Sequence, residues 1–124
     1  MSTFNDYRNL EVWQRAMGIA KEIYCLTKSF PPSELYGLTS QMRRATVSIP
    51  ANIAEGWGRR YTAEFIRFLR QANGSRTELE THLLLSAKIG LSKQERIQPL
   101  LTELHILGKR LLRLERTLKQ KKNS

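Results

Sequence analysis

The chain has 124 residues, enough for one domain with a hydrophobic core but not for two. Its 21 Lys and Arg against 11 Asp and Glu give a net charge of +10. This charge favours a polyanionic partner, nucleic acid before an acidic protein or an anionic membrane. The single cysteine excludes an internal disulfide, and no secretory signal or apolar run of about 18 residues occurs. We therefore expect a soluble cytoplasmic protein without a membrane partner.

In chain order, the first predicted helix spans about residues 10–29, with Asn9 as its N-cap and Pro31-Pro32 as its end. Its inner apolar seam consists of Val12, Ala16, Ile19, Ile23, Leu26 and Phe30. Its outer seam consists of Trp13, Met17, Ala20 and Tyr24. Because neighbouring seams lie about 100° apart, the joint face is wider than one core contact requires. A well-buried helix in a monomer is one explanation; we favour a helix that faces its own core and a second subunit.

The second predicted helix spans about residues 38–57 and contains Pro50. An interior proline costs about 3 kcal/mol, so Pro50 should kink or loosen the helix. Gly56 and Gly58 offer left-handed caps at its end. A polar stripe follows one helix face at steps of three and four residues, through Gln41, Arg44, Ser48, Asn52, Glu55 and Arg59.

The third predicted helix spans about residues 63–89 and ends before Gly90. The fourth spans about residues 93–119, although Pro99 interrupts its first turns. Its apolar seam alternates steps of three and four residues through Ile97, Leu100, Leu104, Leu107, Leu111, Leu114 and Leu118. The basic tail at residues 119–124 has nothing to bury and should fray. The whole pattern predicts an all-α, antiparallel four-helix bundle with up-down-up-down topology in a single domain, residues 1–124.

Residues that could catalyse a reaction are scarce. The chain has one Asp, one Cys and two His, and it contains no HExxH, CxxC, Walker or GxGxxG motif. His82 and His105 each lie in an apolar helical stretch, where a histidine is usually a core or interface residue. The inward Glu and Glu-x-x-His pairs of metal-binding bundles are also missing. We therefore expect no enzymatic activity, no metal and no cofactor.

Polar residues of the second and third helices form a candidate structural network. If these helices pack antiparallel, the polar stripe of one can meet acidic side chains of the other. A solvated charged face is the alternative, and for any single pair it is the simpler explanation. Because Asn52 departs from an apolar neighbourhood, we favour a partly buried network that fixes the helix register. Its expected members are Arg43, Arg44, Ser48, Asn52, Glu55, Glu78 and Glu80.

Two clusters of basic residues form the candidate nucleic-acid-binding surface. The first cluster, at the start of the third helix, consists of Arg59, Arg60, Arg67 and Arg70. The second cluster, at the end of the chain, consists of Lys109, Arg110, Arg113, Arg116, Lys119, Lys121 and Lys122. Trp57 and Tyr61 flank the first cluster. They either stack on exposed bases or close a helix junction, and the sequence favours neither explanation.

The central motif of the chain runs through Arg44-Ala45, Val47-Ser48-Ile49-Pro50-Ala51-Asn52-Ile53-Ala54-Glu55-Gly56 and Gly58-Arg59. Further motifs are Asn9-Leu10-Glu11-Val12-Trp13-Gln14 and Glu64-Phe65-Ile66-Arg67-Phe68-Leu69. Together they resemble the four helix bundle protein family, which includes proteins encoded in intervening sequences of 23S ribosomal RNA genes. The likeness covers nearly the whole chain. It extends more loosely to the Avd accessory proteins of diversity-generating retroelements.

This resemblance implies an antiparallel four-helix bundle that assembles as a ring- or barrel-shaped homopentamer. For the Avd relatives it implies binding to a reverse transcriptase and to nucleic acid through basic surfaces. The leading hypothesis is a non-enzymatic homopentamer that binds DNA or RNA, extended by an Avd-type accessory role beside a reverse transcriptase. The alternative is a protein-interaction scaffold that meets an acidic partner and has no direct nucleic-acid role.

Overall fold

The computed structural model describes residues 6–123, with side chains as far as Lys121. Four α-helices account for most of this part of the chain: α1 (Glu11–Thr27), α2 (Leu38–Gly58), α3 (Thr62–Lys88) and α4 (Gln94–Asn123). Short 3-10 helices at Tyr7–Asn9 and Pro32–Glu34 precede α1 and α2. No strand occurs between residues 6 and 123, so the predicted all-α class with four helices is confirmed.

Two helix ends differ from the prediction. Asn9 lies in the first 3-10 helix, and Leu10 takes the N-cap position of α1 in its place. After α2, the residue with a left-handed backbone is Arg60, with φ of 71°, and not Gly56 or Gly58. The cause is packing, because Gly56 is buried inside the last turns of α2 and the chain turns only after that helix is complete.

The end of the chain is more regular than predicted. Gly90 follows α3 with φ of 83°, as expected for a glycine that stops a helix. Pro99 lies inside α4, and α4 continues to Asn123 instead of fraying. Lysine and glutamine favour helix formation, and Lys119 pairs with Glu115 one turn earlier at 3.1 Å. The tail is therefore helical as far as Asn123, and its side chains up to Lys121 are part of the surface of α4.

Each helix packs against two others, in the pairs α1–α2, α2–α3, α3–α4 and α1–α4. Contacts between α2 and α3 run in opposite chain directions, because Ser48 meets Ser75 while Gly56 meets Phe68. The approach at Gly56 is close, since a Cβ atom at this position would lie 2.6 Å from the Cβ atom of Phe68. Glycine at this position is therefore required by the packing of α2 on α3.

The core lies between the four helices. The whole inner seam of α1 is buried, with no member more than 7% exposed. The α4 seam is buried from Ile97 to Leu111 and half-buried at Leu114 and Leu118. The outer seam of α1 behaves differently, since Met17 is 45% and Tyr24 is 40% exposed in the single chain. Across residues 6–123, no helix has the long apolar run that crossing a bilayer requires.

Candidate nucleic-acid interface

The two predicted basic clusters meet at one end of the molecule. Arg70 of α3 donates two hydrogen bonds to Glu115 Oε2 of α4, at 3.1 Å from Nε and 3.0 Å from Nη2. Arg110 of α4 lies 3.7 Å from Glu11 at the start of α1. Arg59, just after α2, stacks over the ring of Phe68 of α3 at 5.1 Å. The starts of α1 and α3 and the ends of α2 and α4 therefore form one surface, here called the basic end.

Acidic residues neutralise part of the basic end. Glu55 pairs with Arg59 at 2.9 Å and Glu64 pairs with Arg67 at 2.9 Å, each within a helix turn. The hydrogen bonds from Arg67 hold the pKa of the Glu64 carboxyl below its usual value. The hydrogen bonds from Arg70, and then from Lys119, lower the pKa of Glu115 in the same way. The carboxylates of Glu64 and Glu115 are therefore ionised at neutral pH and offset the arginines beside them.

A stripe of basic side chains on α4 has no such partner. Lys109, Arg113 and Arg116 follow one another at steps of four and three residues, which places them on one helix face. All three are exposed, and none makes an ion pair or a side-chain hydrogen bond with another described residue. The structure thus leaves three cations of the second predicted cluster free. The side chain of Lys122, a further member of that cluster, lies outside the described residues.

The aromatic residues of the basic end separate into two roles. Trp57 is half-buried and packs edge-to-face on Tyr7, with ring centroids 6.3 Å apart. The guanidinium of Arg60 covers the ring of Trp57 at 5.1 Å. Tyr61, in contrast, is 74% exposed. Of these two residues, Trp57 therefore closes the junction at the start of α1, and Tyr61 presents a free aromatic surface.

The predicted structural network is only partly assembled. Ser48 and Ser75 are joined by a hydrogen bond of 2.9 Å between their hydroxyl oxygens, which links α2 to α3. Asn52 Nδ2 donates to the carbonyl oxygen of Ser48 at 2.8 Å and to its hydroxyl at 2.9 Å. Arg43 lies on the other side of α2, where it donates to Thr27 Oγ1 at 2.9 Å. The hydroxyl–amide part of the network is thus present, and Arg43 is tied to α1 and not to α3.

Apart from Arg43, the charged members of that network make their contacts within their own helix or with the residue just after it. Arg44 donates to Ser40, and Glu55 pairs with Arg59. Glu78 lies 3.8 Å from His82, and Glu80 lies 3.7 Å from Arg76. Within residues 6–121, no ion pair links Arg43 or Arg44 to Glu78 or Glu80, so an ionic network between α2 and α3 is not formed. Small and apolar residues fill that interface, which leaves the charged side chains on its outer edges.

A groove that the sequence did not predict lies between α3 and α4. Its volume is about 320 Å³, and its polar lining comes from Arg70, Asn73, Arg76, His105, Lys109 and Glu115. Arg76 is only 14% exposed; its Nε donates to Asn73 Oδ1 at 2.7 Å and its Nη1 to the Leu104 carbonyl at 3.3 Å. The guanidinium lies directly over Gly108, where a Cβ atom would come within 2.6 Å of its Cζ. Gly108, next to Leu107 of the leucine seam, was the signal available in the sequence.

A metal centre has no basis in the described part of the chain. No group of three or more His, Cys, Asp or Glu side chains lies close enough there to hold an ion. The Nδ1 atom of His82 is buried without a hydrogen-bond partner, and its neighbour Glu78 is a single carboxylate. These two residues do not form a ligand set.

Four α-helices around one core, with free cations gathered at one end, define an all-helical protein with a basic surface. A comparison with protein families matches residues 8–113 to the 23S rRNA-intervening sequence protein family. The match spans most of the chain, so the chain belongs to this family, as its motifs indicated. No curated protein gives a significant match to the chain.

Proposed function

We propose that this protein is a non-enzymatic nucleic-acid-binding protein and that the basic end is its binding surface. The observation that carries the proposal is the meeting of the two basic clusters, with Lys109, Arg113 and Arg116 free of acidic partners. Free cations on one face attract phosphates, because neutralising a phosphate releases its condensed counterions. The family is named for an intervening sequence of 23S rRNA, which is compatible with association with nucleic acid.

The proposal includes the assembly. We infer an up-and-down antiparallel bundle that forms a homopentamer. The exposed outer seam of α1 supports a subunit contact, and the resemblance to the four helix bundle proteins supplies the number five. Repeating the basic end in each subunit would raise the affinity for a strand that reaches several subunits at once. The likeness to Avd proteins adds a reverse transcriptase as a proposed partner.

The proposal predicts salt-sensitive binding that depends on the free cations of α4. The test variant replaces Arg113 and Arg116 with Gln. Its matched control replaces Lys93 and Arg96 with Gln; these residues are exposed, have no ion pair and lie where α4 begins, away from the basic end. Each phosphate that the variant no longer neutralises should reduce the slope of log affinity against log salt by about 0.7 for a single strand and about 0.9 for duplex DNA.

Fluorescence anisotropy with labelled RNA and DNA across a salt series measures these slopes. We expect the Arg113 and Arg116 variant to bind more weakly and with a flatter slope, and the control to bind like the parent. Equal effects of both variants would place binding elsewhere on the molecule. No binding by the parent at low salt would reject a direct nucleic-acid role and leave the scaffold with an acidic partner as the explanation of the basic end.

A further inference from the structure

The α3–α4 groove adjoins the free cations but has features that a plain phosphate-binding surface does not need. Its wall is apolar, with Leu69, Leu111 and Leu112 alongside the polar lining. Leu112 is 47% exposed although it stands in the middle of α4. Such a mixture of an apolar wall and a few placed polar groups is typical of sites for small organic ligands.

We propose that the groove binds one unpaired nucleotide of a single strand, so that the protein prefers single-stranded over duplex nucleic acid. This inference rests on the proposed function and specifies the form of nucleic acid that it concerns. The phosphate lies at Arg76 and Lys109, and the base packs on Leu112 and His105.

The charges of the groove favour a phosphate. Three cations, Arg70, Arg76 and Lys109, line it together with one carboxylate, Glu115. That carboxylate is already held by Arg70 and by Lys119 at 3.1 Å. Arg76 donates through Nε to Asn73 and through Nη1 to Leu104, and Nη1 also lies 3.7 Å from Glu80 Oε2. Its Nη2 atom donates to no acceptor among the described residues. A guanidinium fixed in place with a free N–H group is prepared to donate to a phosphate oxygen.

The remaining lining suits a base. Bases removed from a stack are bound by His rings, by guanidinium planes and by apolar side chains, and His105 and Leu112 provide two of these surfaces. Asn73 accepts from Arg76 through Oδ1, and its Nδ2 group donates to no acceptor among the described residues. That group can donate to a ring nitrogen or carbonyl of a base.

The size of the groove favours a single strand over a duplex. A volume of about 320 Å³ lies near the lower end of the roughly 300–1,000 Å³ of ligand sites, which suits one nucleotide unit. A duplex keeps its bases stacked and cannot place one there without unpairing it.

The test replaces Leu112 with Glu, which puts a negative charge into the groove without touching the core. The matched control is Leu85→Glu, because Leu85 is 44% exposed, lies outside the groove and gives the same change in net charge. Anisotropy is measured with a short labelled RNA strand and with the duplex made from it. Melting temperatures of both variants confirm that each is folded.

We expect Leu112→Glu to weaken single-strand binding at least about tenfold relative to Leu85→Glu, which is about 1.4 kcal/mol. Duplex binding by Leu112→Glu should fall by a smaller factor than single-strand binding, because a duplex meets the added charge beside Arg113 but places no base in the groove. A loss by the same factor for single strand and duplex in Leu112→Glu overturns the groove inference and leaves the basic end as the binding surface, and so does equal single-strand binding by the two variants. A parent that binds neither strand form at low salt rejects the proposed function itself.

Discussion

Gly56 and Gly74 show how the same residue type has opposite meanings in two helices. Gly56 is buried in α2 against Phe68, whereas Gly74 is exposed in α3 with no atom within 4 Å of where its Cβ would stand. Gly56→Ala should therefore destabilise the fold by about 1–3 kcal/mol, because the Cβ of Phe68 cannot move without the backbone of α3. Gly74→Ala should stabilise it by about 0.5–1 kcal/mol through helix propensity.

Urea denaturation of the two alanine variants beside the parent measures both effects. The stability of Gly56→Ala tests the packing of α2 on α3. An unchanged midpoint of urea denaturation would mean that α2 and α3 do not approach as closely as the structure shows. A destabilised Gly74→Ala would instead mean that a second chain covers this position.

Single residues also show where the sequence was sufficient and where it was not. The buried seam of α1 followed from spacing alone, because burial repeats with the helix period. The ionic network did not form, because charged side chains such as Glu80 find a partner one turn away and remain partly hydrated. Among the described side chains, the small polar residues Ser48 and Ser75 make the hydrogen bond that joins α2 to α3. Spacing identifies a polar stripe, but it does not say which partner each charge selects.

At the scale of helices, Glu115 is the bridge between α3 and α4. It accepts from Arg70 of α3 and from Lys119 of its own helix. These bonds hold the pKa of Glu115 below its ordinary value of 4.5 in the folded state. The ionised Glu115 therefore contributes its full stabilisation of the folded state above pH 4.5. This contribution is lost as the pH falls through the lowered pKa that Glu115 has in the folded state.

Glu115→Gln should remove this dependence. We expect a loss of about 1 kcal/mol at neutral pH and a smaller fall in stability than the parent shows as the pH decreases below 4.5. Chemical denaturation at a series of pH values gives the comparison. Glu64 keeps its own pair with Arg67 in both proteins, so the difference between their stabilities at each pH isolates the contribution of Glu115. Parallel curves for the two proteins would show that the bridge does not contribute in solution.

The helices themselves were predictable, but the surfaces between them were not. Leucines at heptad spacing predicted α4, and Gly90 predicted the end of α3. The α3–α4 groove depends on Arg76 lying over Gly108, residues far apart in sequence whose contact follows from the register of two helices. Nothing in the spacing of either helix fixes that register. To predict that the two basic clusters meet, one likewise needs to know the direction of each helix in the bundle as well as its existence.

At the scale of the whole molecule, the outer seam of α1 determines the proposed assembly. Met17→Glu should dissociate the pentamer, because a charge buried without a partner costs about 3–5 kcal/mol. Ile89→Glu is the control, since Ile89 is 55% exposed at the end of α3 and carries the same change in charge. Light scattering at micromolar concentration measures the mass of each protein. A monomeric parent would reject the assembly, and a pentameric Met17→Glu would place the subunit contact on another face.

Whether the lone cysteine of α1 can form a disulfide between subunits depends on the symmetry of the assembly. Cys25 is exposed and directly follows Tyr24 of the outer seam. A disulfide requires two Cα atoms within about 4.4–6.8 Å, and a two-fold axis can bring identical residues that close. A five-membered ring uses a different patch on each side of every contact, which keeps identical positions on separate subunits apart. Mild oxidation therefore distinguishes the two arrangements chemically: covalent pairs form where two α1 helices face each other across an axis, and a ring retains one free thiol per chain.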